Sequence, residues 1–139
     1  MNIESKDIYG DYPTKPCVFA ACDSKYFIDH AGPFINSAHK SGKPVHVHVI
    51  NPTKEVYADI EFYKEKISTT MTFTFNDMDL PEDQDQKKCI YASLRFFVLP
   101  FLLEKVQKIM VLDIDCLVMK DFKFPTKPCG LFVRQPVTY

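Results

Sequence analysis

Short apolar runs alternate with longer amphipathic stretches along this chain, and that alternation restricts the fold more than any other feature. "CVFAACD" (17–23) is a continuous apolar run closed by an acid, the pattern of a strand buried on both faces. "VHVHVIN" (45–51) and "TTMTFTFND" (69–77) alternate valine or phenylalanine with polar residues and predict two more strands. "KIMVLDIDCLVMKDF" (108–122) predicts a fourth strand and a turn, and "GLFVRQPV" (130–137) a last short strand. Between them lie stretches of helical period. In "KYFIDHAGPFINSAHKSG" the apolar positions Phe27, Ala31, Phe34, Ile35 and Ala38 fall on one helix face, with Gly42 at the stop position and Pro44 beyond. Pro33 fits this helix near its first turn or at a kink. "TKEVYADIEFYKEKI" predicts a second helix with Thr53 at the N-cap, and "KKCIYASLRFFVLPFLLEKV" a third, kinked or split near Pro100. "LPEDQDQ" (80–86) before it reads as a polar loop.

Strands and helices in this order predict βαβ units and a mostly parallel sheet with helices on both faces, an α/β three-layer domain. Ligands of such sheets bind beyond the carboxyl ends of the strands. Residues 1–16, ending in Pro13 and Pro16, read as a loose lead-in to a domain spanning 17–139.

A formal net charge of -1 and the lack of a Lys/Arg run give no basis for nucleic-acid or membrane-surface binding. No apolar stretch reaches the length of a bilayer span, and "MNIESKDIYGDYPTKP" lacks the apolar core of a signal peptide. The expected compartment is the cytoplasm. The five cysteines, Cys17, Cys22, Cys89, Cys116 and Cys129, have no C-x-x-C spacing and mostly adjoin apolar residues, so reduced and mostly buried thiols are expected.

The chemistry concentrates in "VLDIDCLV". Asp113 and Asp115 interrupt the most strand-like segment of the chain. Residues i and i+2 of a strand share a face, so the two carboxylates are expected side by side. Together they repel, and a hard cation such as Mn²⁺ or Mg²⁺, which takes carboxylate and phosphate oxygens, relieves that repulsion. Asp23, at the end of the first strand, is expected on the same edge. His46 and His48 share a strand face as well, but with no third ligand nearby in sequence they read as histidines under a covering helix or at a sheet margin rather than as a metal site.

Three segments in order resemble glycosyltransferase family 8, the nucleotide-sugar transferases of GT-A fold. "VLDIDCLV" is similar to the family's D-x-D strand, "VFAACDSKY" to its first strand and D-x-x-Y loop, and "YASLRFFVLPFLLEKVQKIMVLDID" to its arginine-bearing helix leading into the D-x-D. The resemblance implies that Asp113 and Asp115 bind Mn²⁺ (or Mg²⁺) bridging the phosphates of a UDP-sugar. It implies that Asp23 accepts a hydrogen bond from uracil, that Tyr26 stacks on or borders the base, and that Lys25 lies near the ribose. Arg95 would approach the sugar and the D-x-D carboxylates, as the catalytic side chain. The implied reaction is hexose transfer to a saccharide or related acceptor. The family's later H-x-x-G-x-x-K-P-W segment has no counterpart here, so the resemblance covers a donor-binding half, a fragment, or a small protein whose site a partner chain or a second copy would complete. Two other classes remain: a non-catalytic nucleotide-binding or assembly module, and a haloacid-dehalogenase-type phosphotransferase, whose D-x-D would open rather than close its domain.

The cysteine reading is directly testable. Non-reducing mass spectrometry of freshly purified, alkylated protein should find five free thiols; a native intramolecular bridge would overturn the reducing-compartment expectation.

Overall fold

The computed structural model describes residues 2–130; the strand expected at 130–137 lies almost wholly outside them. Five strands form one sheet in the order β1-β4-β3-β2-β5: β1 (Tyr9–Gly10), β2 (Cys17–Asp23), β3 (Val45–Ile50), β4 (Met71–Asn76) and β5 (Ile109–Val111). β1 is antiparallel to β4, and the other pairings are parallel. Three helices cover the sheet: α1 (Ser24–Lys40), α2 (Lys54–Lys66) and α3 (Gln84–Leu103). The protein is thus an α/β domain with a five-stranded, mostly parallel sheet flanked by helices.

Strand alternation sorts the side chains into two cores. Val18, Ala20 and Cys22 of β2, Val45, Val47 and Val49 of β3, and Phe73 and Phe75 of β4 pack with Phe27, Phe34 and Ile35 of α1 and Val56 and Ile60 of α2. The opposite face carries Phe19 and Ile50 against Leu94, Val98 and Leu102 of α3. The five apolar positions expected to face the core from α1 are the five that are buried. Gly32 sits where α1 passes α2, and a Cβ there would lie 3.1 Å from the Tyr63 hydroxyl. α1 ends as its glycine suggests: Gly42 takes φ +70°, and the Lys43 N–H donates to the Ala38 carbonyl at 2.9 Å.

Several expectations need correction. Residues 2–12 are not a loose lead-in: Ile3 and Ile8 are buried in the α3-side core, and Tyr9–Gly10 add an antiparallel edge to β4. Gly10 permits this approach, having φ +105° and the Phe73 carbonyl 2.5 Å from where a Cβ would stand. Pro33 lies well inside α1, on an exposed position where the carbonyl it leaves without a donor can meet water. α3 begins inside the expected polar loop, because Asp83 caps it by accepting from the Gln86 N–H at 2.8 Å, and it runs through Pro100 unbroken to Leu103. Thr53 occupies the N-cap of α2, but its side chain makes no capping bond. The cysteines are free as expected, yet only Cys17 and Cys22 are buried; Cys89 and Cys129 are exposed and Cys116 half-buried.

His46 and His48 are fully buried and belong to a polar ladder between β3 and β4. His48 Nε2 lies 2.7 Å from Asn76 Oδ1, an acceptor, so this nitrogen carries the proton and His48 Nδ1 must accept. The Thr74 hydroxyl, 2.9 Å away, donates to it and in turn accepts from His46 Nε2 at 2.8 Å. The Thr72 hydroxyl then donates to His46 Nδ1 at 2.8 Å. Each ring is satisfied only as neutral imidazole, which argues against a metal at this pair.

Burial pushes His46 down to about 3, helped by the neighbouring His48, and pushes His48 down to about 4 against the opposing effect of the hydrogen bond it donates to Asn76. In the unfolded chain both titrate near the ordinary histidine value of about 6.5. Below that value the unfolded state binds protons that the folded state refuses, so stability is lost as pH falls from about 6.5 toward 4. Urea unfolding should show a loss of about 2 kcal/mol for the two rings together between pH 7 and 5.5. A flat profile over that interval would mean the rings take up protons while folded.

Candidate functional site

The carboxyl ends of β2 and β5 and one face of α3 enclose a cleft of about 290 Å³. Asp23, Tyr26, Arg95, Asp113 and Asp115 all line it. Lys25 does not; it is exposed and lines an adjoining depression with Asp23, Ser24, Asn51 and Tyr91.

Asp23 ends β2 and caps α1, its Oδ1 accepting from the Tyr26 N–H at 2.8 Å. The cap turns the chain so that Tyr26, half-exposed in the first turn of α1, stands at the cleft with its ring 5.3 Å from that of His30. The Ser24 hydroxyl reaches across to the Asn51 carbonyl at 2.8 Å, tying the ends of β2 and β3 together.

The D-x-D is not on a strand. β5 stops at Val111; the Leu112 N–H still donates to the Phe19 carbonyl at 2.8 Å, and pairing then ends. The Cys116 N–H donates to the Asp113 carbonyl at 3.0 Å and closes a turn over Asp113–Cys116. Aspartate favours the opening position of such turns, and two acids next to one another are hydrated more easily there than inside a sheet. The residue between them does the orienting. Ile114 is 4 % exposed and packs into the α1–α2 core, leaving Asp113 and Asp115 outside. Val118 anchors the far side of the loop: its N–H donates to Ser37 Oγ at 2.9 Å and its carbonyl accepts from Ser41 Oγ at 3.0 Å.

Arg95 reaches the loop from α3, and its Nη1 contacts Asp113 Oδ1. The arginine side chain is 21 % exposed and the aspartate 57 %, so the pair joins a mostly buried cation to a mostly hydrated acid. Arg95 Nε is buried without a hydrogen-bond partner among the described residues. Buried donors are rarely left unpaired. Sequence reasoning missed the rest of this helix face. Lys88, Tyr91 and Ala92 line the cleft with Arg95, at the i, i+3, i+4, i+7 spacing of one helical stripe. Burial and the nearby Asp23 carboxylate raise the Tyr91 phenol above its ordinary value.

Asp113, Asp115 and the Cys116 thiol present ligand atoms within 4.8 Å of one another. Two outward carboxylates beside an unsatisfied cationic donor fit a hard divalent cation carrying an anion. Cys116 adds a softer atom that Mn²⁺ or Mg²⁺ does not need.

Comparison with known proteins finds no matching family model, no matching curated protein and no matching solved structure. Among the described residues no helix is long and apolar enough to cross a membrane.

Asp23 has a local structural duty that is separable from any ligand. Asp23→Ala should cost about 1 kcal/mol through the lost cap, while Asp23→Asn, which can still accept from the Tyr26 N–H, should cost little. Equal losses for both, measured by thermal melts, would assign the effect to charge instead.

Proposed function

We propose that this chain is the donor-binding part of a GT-A-type glycosyltransferase, holding a UDP-sugar through Mn²⁺ or Mg²⁺ at Asp113 and Asp115. The observation that carries the reading is the convergence of Asp23, Tyr26, Arg95, Asp113 and Asp115 on one cleft at the carboxyl edge of a parallel sheet. Ninety residues of chain separate Asp23 from Asp113, and the sheet topology brings them together.

In this reading each residue has a task its chemistry suits. Asp113 and Asp115 hold the cation, which when bound supplies positive charge against the diphosphate as it becomes a leaving group. Arg95 offers a planar set of donors beside them, suited to sugar hydroxyls and carboxylates. Asp23 uses one oxygen for the α1 cap and has a second for a uracil N–H. Tyr26 offers a half-exposed ring for the base, and Lys25 reaches the ribose end through the adjoining depression. The acceptor is a saccharide or related molecule, and the reaction a hexose transfer. A haloacid-dehalogenase-type reading is less well supported, because five described strands precede a D-x-D that in that class opens the domain.

Thermal melts with and without Mn²⁺ and UDP test the proposal. At ligand near a hundred times its dissociation constant, the wild type should gain roughly 3 kcal/mol, and Asp115→Asn almost nothing. Asp115 is exposed, so the substitution should leave the ligand-free melting temperature nearly unchanged. A wild-type melting temperature indifferent to Mn²⁺ and UDP would sink the donor-site reading.

A further inference from the structure

We propose that Arg95 is a resident cation that competes with the divalent metal for Asp113, so that metal entry releases the guanidinium toward the bound anion. The inference rests on the donor-site reading above and adds an order of events to it. Arg95 Nη1 contacts Asp113, while Asp115 has no ion-pair partner among the described residues. The arginine is held from α3 with its side chain mostly buried, and its Nε has no acceptor. The pair is therefore a half-satisfied contact: Asp113 is neutralised, but Arg95 still carries a buried donor that the carboxylate does not use. A metal ion arriving at Asp115 must share or take Asp113. When it does, Arg95 loses its carboxylate and becomes a cation in need of an anion, in a cleft already lined by Lys88. Metal and nucleotide would then bind with positive coupling, each favouring the arrangement the other needs.

The test is isothermal calorimetry with Mn²⁺ alone, then with UDP in the presence of Mn²⁺, on the wild type, Arg95→Gln and Arg95→Met. The methionine variant keeps the apolar stem should the glutamine variant fail to fold. Removing the competitor should tighten binding of Mn²⁺ alone by about two- to fivefold, the range a partly exposed ion pair contributes. The enhancement of UDP affinity by Mn²⁺ should shrink in the same variants. Binding of Mn²⁺ alone by a variant but not by the wild type supports the proposal equally. Unchanged or weaker Mn²⁺ binding in both variants, with the wild type still taking up Mn²⁺ and UDP together, overturns this inference and leaves the donor site standing. Failure of wild type and variants alike to bind Mn²⁺, with or without UDP, overturns both.

Discussion

The double burial of β2 is the constraint on which the rest of the structure depends. Its residues bond to β3 along one edge and to β5 along the other, and Cys17 through Ala20 are almost wholly shielded from solvent. A strand in that position accepts a polar side chain only where a partner satisfies it, as the β3 histidines are satisfied from β4, and β2 carries none before its end. Its first polar side chain, Asp23, therefore comes at its carboxyl end, where α1 needs a cap and the sheet opens to solvent. The same pairing fixes β5. Phe19 stands opposite Val111, and the last sheet bond runs from Leu112 to the Phe19 carbonyl. The D-x-D follows at once and is delivered beside Asp23 by register alone.

What β2 does for the position of the loop, Ile114 does for its direction. A single buried isoleucine between two acids orients both of them, and its burial among the α1–α2 side chains offsets part of the cost of bringing two like charges together. Arg95 offsets more of it from the opposite side of the cleft. The acids are thus placed by an apolar anchor from below and by one cation from α3. That explains how they can stand among strand-forming residues without lying in the strand.

Much of this was legible in the sequence, and the failures have physical causes. The buried face of α1 and the strands at Cys17–Asp23, Val45–Ile50 and Met71–Asn76 followed from periodicity, because burial dictates residue type there. The N-terminal edge strand was invisible: two residues, one of them glycine, carry no alternation to read. The start of α3 was misread because Asp83, Gln84, Asp85 and Gln86 look like loop, while a capping aspartate and an exposed first turn produce the same composition. β5 was overextended because a turn anchored by Ile114 and Val118 shows the apolar spacing of a strand. For the site, the acids and Arg95 could be named from their motifs, but Lys88 and Tyr91 could be found only by projecting α3 from Arg95 backwards. The ion pair between Arg95 and Asp113 has no local signal at all, since it joins residues from different elements.

The domain handles buried polar groups in two contrasting ways. On the β3–β4 ladder every ring nitrogen of His46 and His48 meets a partner of the right sense, and the chain of bonds ends on Asn76. Such a closed network fixes the pairing of two strands and leaves nothing for a ligand to satisfy. At the cleft the opposite holds: Arg95 keeps an unpaired buried donor, Asp113 is only half withdrawn from water, and Asp115 faces solvent. A fold able to satisfy four consecutive side-chain hydrogen bonds inside its sheet does not lack the means to complete one arginine at its edge. Local incompleteness of this kind, in a structure consistent elsewhere, concentrates where a ligand is expected to supply what is missing. The proposed donor-site reading of Asp113 and Asp115 draws on this contrast as well as on the D-x-D pattern.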